Sequence, residues 1–254
     1  MRRQYDVIKK TILFLVGFLV VVILCGSAYI LLYSPLTRIQ EIRTERTDQR
    51  IDIEVVQLAL APIFGRHIAL LQEQDIVALL KKHVPDLHNV YTEKEYPSLL
   101  RIRLELEPLV AQVHITEEDA DHSVSGYLTE QGTYIEYANV QVKNYDTLSQ
   151  ITIVDWGVRP QPGSKLVQPE FLRRMWSAET LLREQFGQVI TERKIFLRAR
   201  EFHLKIKGDI WLWFDDQGES EEQIKQYQIF LQSVPMEDVK EYVDLRLSDR
   251  VIYQ

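Results

Sequence analysis

The sequence has almost no cysteine: a single one, Cys25, in 254 residues. One thiol excludes an internal disulfide, and its place inside an apolar run leaves the rest of the chain without a thiolate metal site. Basic excess is missing as well. Lys and Arg number 30 against 37 Asp and Glu, a formal charge of −7, and the isoelectric point is near 5.5. A surface for nucleic-acid backbones needs concentrated positive charge, so nucleic acid is not an expected partner. Catalytic signatures are absent too. No strand, Gly-rich loop and helix follow one another as a phosphate cradle, and neither a G-x-S-x-G elbow nor an H-E-x-x-H helix occurs. The histidines (His67, His83, His88, His114, His122 and His203) show no paired ligand spacing and read as surface or locally bonded groups. The reading is therefore of a non-enzyme, with no catalytic, cofactor-binding or metal-ligating residue assigned and no small-molecule substrate expected. Internal repeats and low-complexity segments are also missing.

One long apolar run is present. Residues 11–33 contain no charged side chain. As a helix they would rise roughly 35 Å, enough to cross a ~30 Å hydrocarbon core. Tyr29 and Tyr33 stand near the far end, where amphipathic rings favour the interface. Arg2, Arg3, Lys9 and Lys10 precede the run, placing the N-terminus inside, although Arg38, Arg43 and Arg46 follow it closely. A cleaved signal peptide would need a shorter apolar core. Gly26 and Ala28 would serve a peptidase, but the apolar stretch continues past them. Leu24 before Cys25 is a poor match to a lipoprotein signal. The expectation is a retained anchor: tail 1–10, transmembrane helix 11–33, and about 220 residues outside the cytoplasmic membrane.

Beyond the run, residues 36–50 read as a first strand carrying Leu36, Ile39 and Ile42. Asp52 caps a short helix with Ile53, Val56 and Leu60, ended near Pro62 and Gly65. Residues 73–84 form a second helix with Ile76, Leu79, Leu80 and Val84 on one face, stopped by Pro85. Residues 90–95 are a strand, and Tyr96-Pro97-Ser98 a turn. Leu100, Ile102, Leu104 and Leu106 then alternate with Arg101, Arg103, Glu105 and Glu107, the clearest period-two signal in the chain. Glu117, Glu118, Asp119 and Asp121 lack the ordered spacing of a calcium loop and read as a solvated linker. Two short strands flank Glu130-Gln131-Gly132, and residues 151–155 form another. A helix covers 169–186 with Phe171, Met175, Leu182 and Phe186 inward and Gly187 at its end. Strands at 190–198, 201–206 and 210–215 follow, the last two joined at Gly208-Asp209. Ile210, Leu212 and Phe214 share one face of their strand, and Trp211 and Trp213 the other; one set must face the core, and the second is expected to be covered too, the alternative being that it binds a partner. Asp215-Asp216 reads as a turn. A helix over 221–234 and one closing strand over 242–254 complete the pattern.

Several stretches carry a resemblance. Gly65-Arg66-His67-Ile68 resembles a glycine-centred helix connector, and Val84 to Val90 a "P-x-V" strand entry. The segments Tyr96 to Ile102 and Glu105 to Ala111 resemble a "P-x-x-L-x-I-x-V-x-E-x-x-P-x-A" run. Tyr127-Leu128-Thr129-Glu130-Gln131-Gly132 resembles "Y-L-I-D-x-x-G". The closing Tyr242-Val243-Asp244-Leu245-Arg246, followed by Asp249-Arg250-Val251, completes the set. Together they resemble the FtsQ/DivIB family of bacterial cell-division proteins, in order and over nearly the whole chain. Ile151 to Asp155 departs from the family's "L-P-x-L-x-G" segment, so no role is carried over to residues 138–168.

The resemblance implies an α+β chain: the membrane helix, a β-α-α-β-β POTRA-like domain over 36–112, and a mixed β-sheet domain with flanking helices over 123–254. It implies a divisome scaffold at the septum that binds FtsL/FtsB-type coiled coils and links early division proteins to septal wall synthesis. An edge strand offers main-chain groups to a partner strand, and Tyr242, Asp244, Arg246, Leu247 and Tyr253 are the expected contacts. Two alternatives stay open: an anchored receptor or sensor with a ligand between its domains, and an anchored hydrolase. A POTRA-bearing outer-membrane transporter is excluded, since no array of barrel strands follows.

Overall fold

The computed structural model describes residues 2–116, 123–136, 148–154 and 160–254, with side chains described from residue 13 onward except at 30–33. The chain is α+β and divides into two compact units, Met1–Glu105 and Leu106–Gln254.

The first unit opens with helix α1, Arg2–Tyr33, 32 residues long. Its large apolar side chains from Leu13 to Leu24 are 49–75% exposed, so none of them packs into a protein core. Residues 13–29, the part with described side chains, would rise only about 25 Å. Among the described residues no helix is long and apolar enough to cross a membrane.

Ser34 then caps a 3-10 turn at Pro35–Thr37, and strand β1 is confined to Glu41–Glu45. The expected strand over 36–50 is thus shorter at both ends. Pro35 removes a donor and sets a turn, leaving Leu36 68% exposed while Ile39 is buried. Helix α2, Ile53–Leu60, starts where Asp52 accepts from the amides of Glu54 (2.9 Å) and Val55 (3.4 Å). Helix α3, Glu73–Leu80, is a turn shorter than expected; His83 and Val84 both donate to the Leu80 carbonyl, closing it, and Pro85 disfavours helical geometry at residue 84. Strands β2, Leu87–Glu95, and β3, Leu99–Leu106, complete a sheet of order β1-β3-β2, with β1 parallel to β3. The period-two reading of β3 holds: Leu100, Ile102 and Leu104 are fully buried, and so are Val56, Leu60, Ile76 and Leu80 of the two helices.

The second unit holds a nine-stranded sheet. Its strands are β4 (Leu109–Thr116), β5 (Ser123–Thr129), β6 (Tyr134–Ile135), β7 (Ser149–Val154), β8 (Ile190–Phe196), β9 (Glu201–Ile206), β10 (Trp211–Asp215), β11 (Tyr242–Asp244) and β12 (Ile252–Tyr253). Their order is β12-β11-β10-β9-β8-β7-β4-β5-β6. β4 went unread in the sequence. It pairs parallel with β7 and antiparallel with β5, so the unit boundary falls at 105/106 rather than at 112. Helix α4, Pro169–Phe186, ends at Gly187 in the left-handed region (φ 65°), and helix α5 is Ser220–Ser233. Both contribute to one core: Phe171, Leu172, Met175, Leu182, Ile224 and Tyr227 pack with Ile151, Ile153, Leu204, Leu212, Phe214 and Val243. Strand alternation sends Thr152, Lys194, His203, Trp211, Trp213 and Tyr242 to the opposite face. The acidic residues Glu117, Glu118, Asp119 and Asp121 lie outside the described residues, as does His122.

Candidate partner-binding edge

The closing strand expected over 242–254 is two strands. β11 pairs parallel with β10, in the register Trp211↔Tyr242, Leu212↔Val243 and Trp213↔Asp244. The chain then turns back, and β12 pairs antiparallel with β11, Val243↔Tyr253 and Asp244↔Ile252. Among the described residues β12, not β11, is the edge. Gln254 donates to the Tyr242 carbonyl (3.1 Å) and accepts from Lys240 and Glu241 (2.7 Å each). Alternate residues of an antiparallel strand aim their main-chain groups to opposite sides. Those of Tyr253 therefore point away from β11, to the open side. The side chains of Ile252 and Tyr253 are 41% and 45% exposed, and the Tyr253 ring leans edge-on against Phe230 of α5 at 5.3 Å.

The turn between β11 and β12 is fixed by an ionic cluster. Asp244 accepts from the Arg246 amide (3.0 Å) and from its guanidinium through Nε (2.8 Å) and Nη2 (2.7 Å). Arg246 also binds Glu201 of β9 and lies over the Trp213 ring at 5.0 Å. Burial alone would raise the Asp244 pKa, but the bonds and charge of Arg246 outweigh it and hold the carboxyl below its usual range. Bonding to Asp244 likewise raises Arg246.

Beside this cluster runs an aromatic row on the face away from the helices. Phe196 and His203 lie 4.5 Å apart, His203 and Trp213 stack at 4.7 Å, and Trp213 and Tyr242 stack at 4.2 Å. Cross-strand register makes the centre of the row, Trp213 standing opposite His203, while Phe196 and Tyr242 join it diagonally, their direct partners being Glu201 and Trp211. Burial pushes His203 down to about 3, with the Arg246 charge acting in the same direction. Its Nε2 is 3.2 Å from Glu201 but outside hydrogen-bond geometry; with a neutral ring this contact is not an ion pair. Of the face holding Trp211 and Trp213, expected to be covered, the structure makes a half-buried stripe. Trp211 packs under Lys194 (4.5 Å) and Lys205 (5.6 Å).

Of the five expected contacts, Tyr242, Asp244 and Arg246 are thus engaged within the chain, Leu247 is half-buried after the cluster, and Tyr253 stands on the edge. Ile252, Glu201, His203 and Trp213 were missed. The polar alternation Glu201, His203, Lys205 opposite Phe202, Leu204, Ile206 was the signal for two of them, but neither strand order nor the return of β12 is written in a local pattern.

A shallow groove of about 310 Å³ is lined by Gln112, His114, Ser125, Gln150, Thr152 and Glu192 among others. His114 Nδ1 and Ser125 Oγ are 3.0 Å apart in it, both exposed. Among the described residues no carboxylate bonds to His114, so the pair lacks an orienting group and stands as a cross-strand hydrogen bond. Asp215 is a turn residue as expected, accepting from Gln217 (2.6 Å) and Gly218 (2.7 Å). No His, Cys, Asp and Glu groups among the described residues assemble as metal ligands.

No family model matches the sequence, and no curated protein matches it.

Proposed function

We propose that the chain is a membrane-anchored, non-enzymatic scaffold of the bacterial division septum, built as the FtsQ/DivIB resemblance implies. Residues 11–33 anchor it, with the N-terminus inside. The first unit beyond the anchor acts as the POTRA-like module, and the second unit carries the partner edge. FtsL/FtsB-type coiled coils with an extended flanking segment are the partners. The anchor reading draws on the uncharged run within a continuous helix Arg2–Tyr33, whose described apolar side chains are exposed all round. In water such exposure is unfavourable by about 25 cal/mol per Å² of apolar surface, and lipid relieves it.

The observation that carries the partner reading is β12. It is a short edge strand with its outer main-chain groups aimed away from the sheet and two exposed apolar side chains. A partner strand added there gains main-chain hydrogen bonds, while Ile252 and Tyr253 read its side chains. The ionic cluster at Asp244 and Arg246 holds β11 in place beneath it.

The test is co-purification of the full chain in detergent with FtsL/FtsB-type partners. Tyr253→Pro removes the outward N–H, and Leu247→Glu places a charge beside the edge. Each variant is expected to weaken binding about ten-fold or more, the loss of one or two net main-chain bonds and their packing, with native circular dichroism. Full affinity in both folded variants would overturn the edge mechanism, and no binding by the wild type would overturn the scaffold reading.

A further inference from the structure

Arg38 follows the end of α1 at Tyr33 by only five positions. Five residues reach at most about 18 Å, and the turn at Pro35–Thr37 shortens that. Arg38 is bridged main chain to main chain with His67. Ile39 donates to the Arg66 carbonyl and Gly65 to the Ile39 carbonyl, both at 2.9 Å. Thr37 Oγ1 links the His67 ring (2.9 Å) to the Ser34 carbonyl (2.9 Å). The loop 64–71 is therefore tied to the segment that leaves α1.

The two segments enclose an open pocket of about 440 Å³, lined by Arg38, Arg66, His67, Leu70, Leu71 and Asp75 with Gly65. Arg38 and Arg66 are exposed, and among the described residues neither makes an ion pair. Lys94 adds a third cation by bonding the Leu71 carbonyl at 2.7 Å, while Asp75 is the single acidic residue in the lining. Leu36, Leu70 and Phe64 are 68%, 66% and 46% exposed. Exposed cations beside exposed apolar side chains match an anionic headgroup above an acyl boundary.

We propose that this pocket binds anionic lipid headgroups, seating the first unit on the membrane surface. The inference rests on the anchor reading above. Charge complementarity favours an anionic lipid over a protein partner, and the short tether keeps the pocket within reach of the headgroup layer. Each arginine near an anionic surface strengthens attraction about five-fold.

The experiment measures hydrogen exchange of residues 64–71 in the full chain. The chain is embedded in nanodiscs of phosphatidylcholine alone or of an equal mixture with phosphatidylglycerol. Exchange is expected to slow by about ten-fold or more in the anionic discs. The gain should vanish in Arg38→Gln/Arg66→Gln and persist in Arg38→Lys/Arg66→Lys. Equal exchange in the two lipids, with the chain embedded, overturns the inference and leaves the anchor standing. Equal protection from inorganic phosphate in phosphatidylcholine discs overturns the lipid assignment. A chain that fails to enter the discs overturns both readings.

Discussion

Arg246 folds back onto Asp244, two residues earlier, through two parallel bonds of 2.8 and 2.7 Å. The Asp244 side chain is 7% exposed and that of Arg246 30%, so removal of one partner strands the other in a partly dry site. Asp244→Ala is expected to destabilise the second unit by about 2 kcal/mol, below the range for fully buried pairs because Arg246 keeps some water. Asp244→Ala/Arg246→Met should recover part of that loss. All four tryptophans lie at 156, 176, 211 and 213, so a urea titration followed by their fluorescence reads this unit alone.

His203 makes the same unit sensitive to acid. Its folded pKa is about 3 against an ordinary 6.5, so between these values the unfolded chain binds the extra proton. The contribution is complete above about 6.5 and is lost as pH falls towards 3, by up to ~1.4 kcal/mol per pH unit. Asp244, also depressed, adds its loss below its ordinary 3.8. His203→Phe should flatten the stability profile between about pH 6 and 4, read as urea midpoints. An unchanged slope would remove His203 from the account.

Gly132 has φ +75°, and a Cβ there would collide with the Val167 carbonyl. The same carbonyl region receives the turn, with Val167 donating to the Gly132 carbonyl at 3.2 Å. Gly132→Ala is expected to destabilise the second unit by about 2 kcal/mol or more, from clash and backbone strain together. A fall of roughly 4–8 °C in its thermal midpoint would follow.

In the first unit, Leu104 is fully buried and Leu58 is 72% exposed. Leu104→Ala should destabilise by about 2–5 kcal/mol through the cavity it leaves, whereas Leu58→Ala should stay within about 0.5 kcal/mol. No tryptophan reports on this unit, so protection of the β3 amides in hydrogen exchange is the measurement.

Elements specified by nearby residues were legible in advance. α4 has the expected bounds, because Pro169 opens it, a 3.6-residue stripe runs through it, and Gly187 closes it in the left-handed conformation. The cap at Asp52 and the alternation of β3 are of the same kind. β4 was missed because Pro108 suggested an end, and what makes Leu109–Thr116 a strand is pairing with β5 and with β7, some forty residues on.

The sequence determined where apolar residues repeat, that Leu212 and Phe214 share one face of their strand and Trp211 and Trp213 the other, and that residues 11–33 carry no charge. Tertiary structure alone decided that residues 242–254 form two strands, and that the edge therefore passes from Tyr242 to Tyr253. The physical reason is that Arg246, already bonded to Asp244 two residues earlier, meets Glu201 only once β9, β10 and β11 lie side by side. That cluster closes the turn, and its link from Arg246 back to Glu201 spans 45 residues, a separation no local period connects.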